Sequence, residues 1–107
     1  MATLEDFKRL ELKTGKILSA EPIEKSDKLY KLIVDLGDKK IQLVSGIKKD
    51  YSEEELIGKL IIIIANLEPA KFRGVESQGM LLAVTEEDGT VSLLTPDREV
   101  KVGSKIS

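Results

Sequence analysis

The segment KLIIIIANLEPAKFRGVESQGMLLAV, Lys59 to Val84, decides how the rest of the chain is read. It opens on an apolar run, Leu60 to Ala65, whose four consecutive isoleucines are β-branched and stiff at χ1, as a pleated strand favours. It closes on a second apolar run, Met80 to Val84. Between them lie Pro69, Gly74, Gly79 and the cluster Lys71, Arg73, Glu76, Ser77 and Gln78. Two strands that present a loop rich in cations and hydrogen-bonding groups describe a binding site on a rigid frame. A loop whose charges only keep it soluble is the alternative. Lys71 and Arg73 stand two apart, so in an extended loop both point to one side, where they can straddle adjacent phosphates.

Just upstream, Ser52 with Glu55 three residues on is a capping box, and Tyr51 and Leu56 occupy its staple positions. Gly58 stands where a helix C-terminus wants a left-handed residue. A helix of one or two turns therefore covers Glu53 to Ile57, and the acidic run Glu53 to Glu55 suits its first turn. Further back, Leu29 to Leu36 alternates, Gly37-Asp38 turns, and Ile41 to Val44 returns as the partner strand of a hairpin. Glu11 to Glu24 is extended, and the apolar phase changes at Gly15, as at a bulge or bend. Thr3 caps a short helix from Leu4 to about Leu10, whose Phe7 and Leu10 share a face that would seal one end of the core. Downstream, Asp88-Gly89 leads to a strand over Val91 to Leu94, and Val100, Val102 and Ile106 give a last extended segment.

The resulting order is three strands, a short helix, two strands and a terminal β extension. That is a mainly β chain in the order of the OB-fold, a five-stranded Greek-key barrel. Residues 1–107 read as one domain, with the barrel over about 11–95 and the extension over about 90–107.

Cysteine and histidine are both absent. This removes disulfides, thiolate and imidazole catalysis and Cys/His zinc sites, and no cofactor is expected. A net charge of −2 argues against a generally basic nucleic-acid binder, but the average hides an asymmetry. Residues 1–7 carry two acids; residues 8–49 carry eleven bases and six acids (+5); residues 50–107 carry six bases and eleven acids (−5). Such a distribution builds one positive face on an acidic body if the halves stay apart on the surface. The longest apolar run is short of the ~20 residues that cross a bilayer. No signal peptide pattern precedes it, so a cytoplasmic location with no membrane partner is expected.

The phrases LKTGKILSAEP, DKLYKLIVDLG, LVSGIKKDYSEEELIGK and ANLEPAKFRGVESQGMLLA together resemble the tRNA-binding OB domain family. The likeness runs from about Asp6 to Val84, and its NLxPxKxRGVxSxGM core is specific. The resemblance implies a non-catalytic module that binds tRNA by shape with little sequence preference. In the family it is found at the C-terminus of methionyl-tRNA synthetase, where it raises tRNA affinity, or as a standalone protein. It also implies that residues after the barrel help build a homodimer and that a synthetase catalytic domain is a further partner. Carried over by position, the tRNA-binding residues are Lys13, where the family more often has arginine, Lys28 from the DKLY turn, Asn66, Lys71, Arg73, Ser77 and Met80. Lys71 and Arg73 are expected to share one electropositive surface with Lys13 and Lys28. Thr14 stands where valine is usual in the family.

Two other classes fit less well. A hydrolase has no histidine to carry the proton from Ser77, and GVESQG is neither a nucleophile elbow nor a phosphate loop. A protein–protein docking module is allowed by the acidic balance and the aliphatic strand Leu60 to Ala65. Aromatics number only four, which disfavours a single-strand binder built on stacking platforms.

Overall fold

A computed structural model describes residues 1–107. In chain order the elements are α1 (Leu4–Lys8), β1 (Leu12–Pro22), β2 (Tyr30–Asp35), β3 (Lys40–Ser45), α2 (Glu53–Leu56), β4 (Leu60–Ile64), β5 (Ala70–Phe72), β6 (Val75–Ser77), β7 (Met80–Leu81), β8 (Ala83–Thr85) and β9 (Val91–Leu93). Residues that alternate in sequence alternate across the sheet: Tyr30, Leu32 and Val34 are buried, while Lys31, Ile33 and Asp35 face outward. The main sheet runs β3-β2-β1-β4-β7, antiparallel throughout. Its edges are joined where Gln78 N donates to Gln42 O at 2.8 Å and Gln42 N donates to Gln78 Oε1 at 2.7 Å. The result is a nearly closed five-stranded barrel of the expected OB type.

The core is aliphatic, with Ile17, Leu32, Leu43, Leu56, Ile61 and Ile63 fully buried. The capping box of α2 forms as read from Ser52 and Glu55, and it drives Leu56 into that core. The Tyr30 hydroxyl donates to Tyr51 O at 2.8 Å, and the Tyr51 hydroxyl accepts from Leu93 N at 3.1 Å. Burial, and then the charges of Glu53 and Glu55, push the Tyr30 phenol above its ordinary pKa.

Four details differ from the sequence reading. The bulge in β1 falls between Ile17 and Ser19, not at Gly15. Gly15 is instead a close-packing position, where a Cβ would lie 2.5 Å from Val34 Cγ1. Phe7 and Leu10 do not seal the core: both are about two-fifths exposed, because α1 is a single five-residue helix lying outside the barrel. The apolar run Met80 to Val84 divides at Leu82, pairing first with β4 and then with β9. The segment after β9 is not a regular strand. It lies along β1, where it forms a single bridge between Lys13 and Lys105.

Candidate nucleic-acid interface

Residues 70–77, read in sequence as an extended loop, form the two-stranded hairpin β5–β6. Its turn is Arg73-Gly74, with φ of 53° and 80°, the pair of positive values that a two-residue hairpin of matching twist requires. Ala70, Phe72, Val75 and Ser77 share one face, and Lys71 stands on the other opposite Glu76. Arg73 occupies the turn itself, so the two-apart rule for an extended chain does not place it beside Lys71.

The hairpin is fastened to the free edge of β3. The buried Ser77 Oγ accepts from Val44 N at 3.0 Å and donates to Gly79 O at 2.9 Å. Gln42 Nε2 donates to Glu76 O at 2.8 Å. Gly79 closes the junction at short range, since a Cβ there would lie 2.6 Å from Ile64 O. The Ser77 hydroxyl, expected from the resemblance to bind tRNA, is thus already engaged on both sides.

The turn reaches across to the β1–β2 connection. Arg73 and Val75 line one cleft with Glu21, Glu24, Lys25 and Lys31. Lys31 pairs with Glu21 at 3.5 Å, while Arg73, Lys25, Lys28 and Lys71 have no carboxylate within 4 Å. Lys28 belongs to the same connection as Lys25, and its carbonyl accepts from Lys48 N at 3.1 Å. Met80 begins β7 and is about half exposed, with its backbone paired to Ile64.

Lys13 and Asn66 lie elsewhere. Lys13 projects from the other end of β1 and is paired with Glu11 at 2.9 Å. The Asn66 side chain accepts from Glu11 N and donates to Arg9 O, both at 2.8 Å, so it ties the β4 exit to the start of β1. The expected single surface from Lys13 through Lys71 and Arg73 to Lys28 is therefore divided. The hairpin folds toward the Pro22 end of β1 and leaves Lys13 at the Leu12 end. Lys25 and Lys31, which sequence reasoning did not select, are the cations that accompany Arg73. Only the outward register of Lys31 in β2 was available as a signal.

The nearly closed five-stranded barrel is of a class that includes oligonucleotide-binding domains. The family model described as "Putative tRNA binding domain" matches residues 12–105, and the chain belongs to this family: it is a non-catalytic tRNA-binding domain. It is 54% identical over 104 residues to the methionine–tRNA ligase of Archaeoglobus fulgidus and 51% identical over 105 residues to that of Thermotoga maritima. These matches cover 97% and 98% of this chain but 16% of each ligase. The chain thus spans about a sixth of the length of these curated relatives. Among solved structures it matches a MetRS related protein from Pyrococcus horikoshii with TM-score 0.94 and 42% identity, covering 100% of this chain and 98% of that one. It matches the chaperone CsaA from Bacillus anthracis with TM-score 0.91 and 35% identity, covering 100% and 99%. No helix is long and apolar enough to cross a membrane.

Proposed function

We propose that this domain holds tRNA by its folded backbone, across the β5–β6 hairpin and the β1–β2 connection, with little preference for sequence. One observation carries the reading. The only non-glycine residues with positive φ, Lys25 and Arg73, are both cations, and both line the same cleft. The hairpin turn requires the positive φ of Arg73, so the turn presents a guanidinium to the cleft that Lys25 lines from the β1–β2 connection. Arg73, Lys71 and Lys28 contact phosphates in this reading, and exposed Met80 packs beneath a base. Ser77 and Asn66 hold the framework.

The identity to methionine–tRNA ligases supports a place as the appended C-terminal domain of such a synthetase, in the cytoplasm, where it raises tRNA affinity beside the catalytic domain. Near-complete coverage of the Pyrococcus protein supports a standalone form as the second reading. The domain pairs as a homodimer through the extension over about residues 90–107, which places two sites on one tRNA.

The test is a titration of several tRNAs with the K71A/R73A variant between 50 and 200 mM salt. Affinity should fall on all tRNAs alike, and the slope of log K against log salt should flatten by up to about two units, at ~0.9 per lost phosphate contact. Loss on one tRNA only, or an unchanged slope, overturns the reading. Light scattering on the same samples reports the dimer.

A further inference from the structure

The chain has four aromatic side chains, and the fold accounts for three of them. Tyr30 is buried and donates to Tyr51 O, while Tyr51 is half-buried and its hydroxyl accepts from Leu93 N. Phe7, on α1, lines a groove with Leu4, Leu10 and Ile106. Phe72 ends β5, one residue before the turn of the hairpin, and is 43% exposed. The register of the hairpin explains this exposure. Phe72 pairs with Val75 and shares a face with Ala70 and Ser77. Ser77, at the foot of the hairpin, is buried and bonded to β3, whereas Val75 is half-buried and Phe72 exposed. The face thus lifts away from the barrel toward the turn.

A lone exposed aromatic is ordinary on a protein surface. What distinguishes this ring is its company. Lys71 precedes it and Arg73 follows it in the chain, and neither cation has a carboxylate within 4 Å. Val75, on the same face, lines the cleft with Arg73, Lys25 and Lys31. An apolar protein surface that covered the ring would have to desolvate its flanking cations without a counter-charge, which is costly. A nucleotide brings both halves of what the arrangement lacks, a flat π face for the ring and a phosphate for the cations. The hairpin carries no second aromatic, so the platform takes one base and not a track of them.

We propose that Phe72 stacks on one unpaired base of the RNA held by the hairpin; the inference rests on the reading that the hairpin binds tRNA and narrows it to RNA that offers an unstacked nucleotide at this point. Every base has a π face, so the contact adds affinity without selecting sequence. It discriminates against a continuous duplex, whose bases are closed into the stack, and favours a folded RNA, which presents free bases in loops, bulges and ends.

The experiment titrates Phe72→Ala and Phe72→Leu with tRNA and with a fully paired RNA duplex, beside K71A/R73A. Phe72→Ala should bind tRNA roughly 5- to 100-fold more weakly, as for the loss of one stacked base. Its salt slope should be that of the parent, since no phosphate contact is lost. Phe72→Leu keeps apolar bulk without the ring; it should also lose tRNA affinity, and its melting temperature should match the parent. Duplex affinity should not change in either variant. Phe72→Trp places a single tryptophan in a chain that has none, and saturating tRNA should quench its emission while the duplex should not. If Phe72 merely holds the hairpin in place, Phe72→Ala flattens the salt slope as K71A/R73A does, and the inference is wrong. It is equally wrong if emission is unchanged at saturation, if Phe72→Ala binds as the parent does, or if light scattering shows a dimer that Phe72→Ala abolishes, which would assign the ring to a second copy of the chain. In each of these cases weakened binding by K71A/R73A leaves the hairpin reading standing. If K71A/R73A also binds as the parent does, that reading fails too.

Discussion

Replacing Ser77 by alanine separates a residue that touches RNA from one that positions the residues that do. The Ser77 side chain is 4% exposed and its Oγ makes two hydrogen bonds, to Val44 N and Gly79 O. Alanine leaves the Val44 N–H without its partner, at about 1–3 kcal/mol for a buried unsatisfied donor, and removes a second bond worth about 1 kcal/mol. A total of roughly 2–4 kcal/mol is a large part of the ~5–15 kcal/mol that holds a small domain together. The melting temperature should fall by about 8 °C or more, at ~4–8 °C per kcal/mol for a domain of this size. Calorimetry reads that shift, and tRNA titration well below the transition reads the function. Affinity should fall because the hairpin that carries Arg73 loses its attachment to β3. In a K71A/R73A background the same substitution should cause little further loss, since coupled residues are not additive. A Ser77→Ala protein that melts like the parent yet loses tRNA would refute the argument, because the hydroxyl would then be acting on RNA directly.

Thr14→Val keeps the shape and removes the hydroxyl that joins Lys101 and Ser104. It should cost about 1–2 kcal/mol, read as a lower melting temperature, and it should speed amide exchange over residues 101–106. Acid should destabilise the fold through carboxyls held below their ordinary pKa: Glu55 by its hydrogen bonds to Ser52, Asp88 by those to Thr90, and Asp27 by the charge of Lys49. A lowered native pKa gives stability that is complete above the unfolded value, about 4, and is lost as pH falls through the native values. Melting temperature should therefore be level from pH 7 to about 5 and drop toward pH 3, with a shallower drop in Glu55→Gln.

The parts legible in sequence were those written in local pattern. Alternation over Tyr30 to Leu36 gave a strand because one face is buried, and Ser52 with Glu55 gave a helix start because the reciprocal bonds span only three residues. The hairpin β5–β6 was not legible: Ala70, Lys71 and Phe72 are all exposed, so no apolar period marks them. What fixes them is Ser77 bonding to Val44, 33 positions away. The same limit applies to the site. Lys71 and Arg73 stand out in a short motif, but the partners of Arg73, Lys25 and Lys31, come from another loop and strand. Phe7 and Leu10 show the reverse error, since a shared helical face says nothing about whether a core lies beneath it.

The net charge of −2 is a poor guide to the partner because the fold sorts charge before RNA meets it. Two of the cations in the hairpin cleft, Lys25 and Lys31, come from the basic stretch 8–49. The acidic stretch 50–107 adds Arg73 to the same cleft, against its own balance. Six of its eleven carboxylates gather elsewhere, at the first turn of α2 and at the β8–β9 turn with Glu86, Glu87 and Asp88, while Glu76 stands on the hairpin opposite Lys71. A polyanion approaching the acidic turns is repelled, whereas beside the hairpin it meets Lys25, Lys31 and Arg73 against Glu21 and Glu24, a small positive balance. Neutralising the acidic turns should then leave the salt slope of tRNA binding unchanged, whereas K71A/R73A should flatten it. The position of charge, set by hairpin attachments that are themselves uncharged, decides what this small acidic barrel binds.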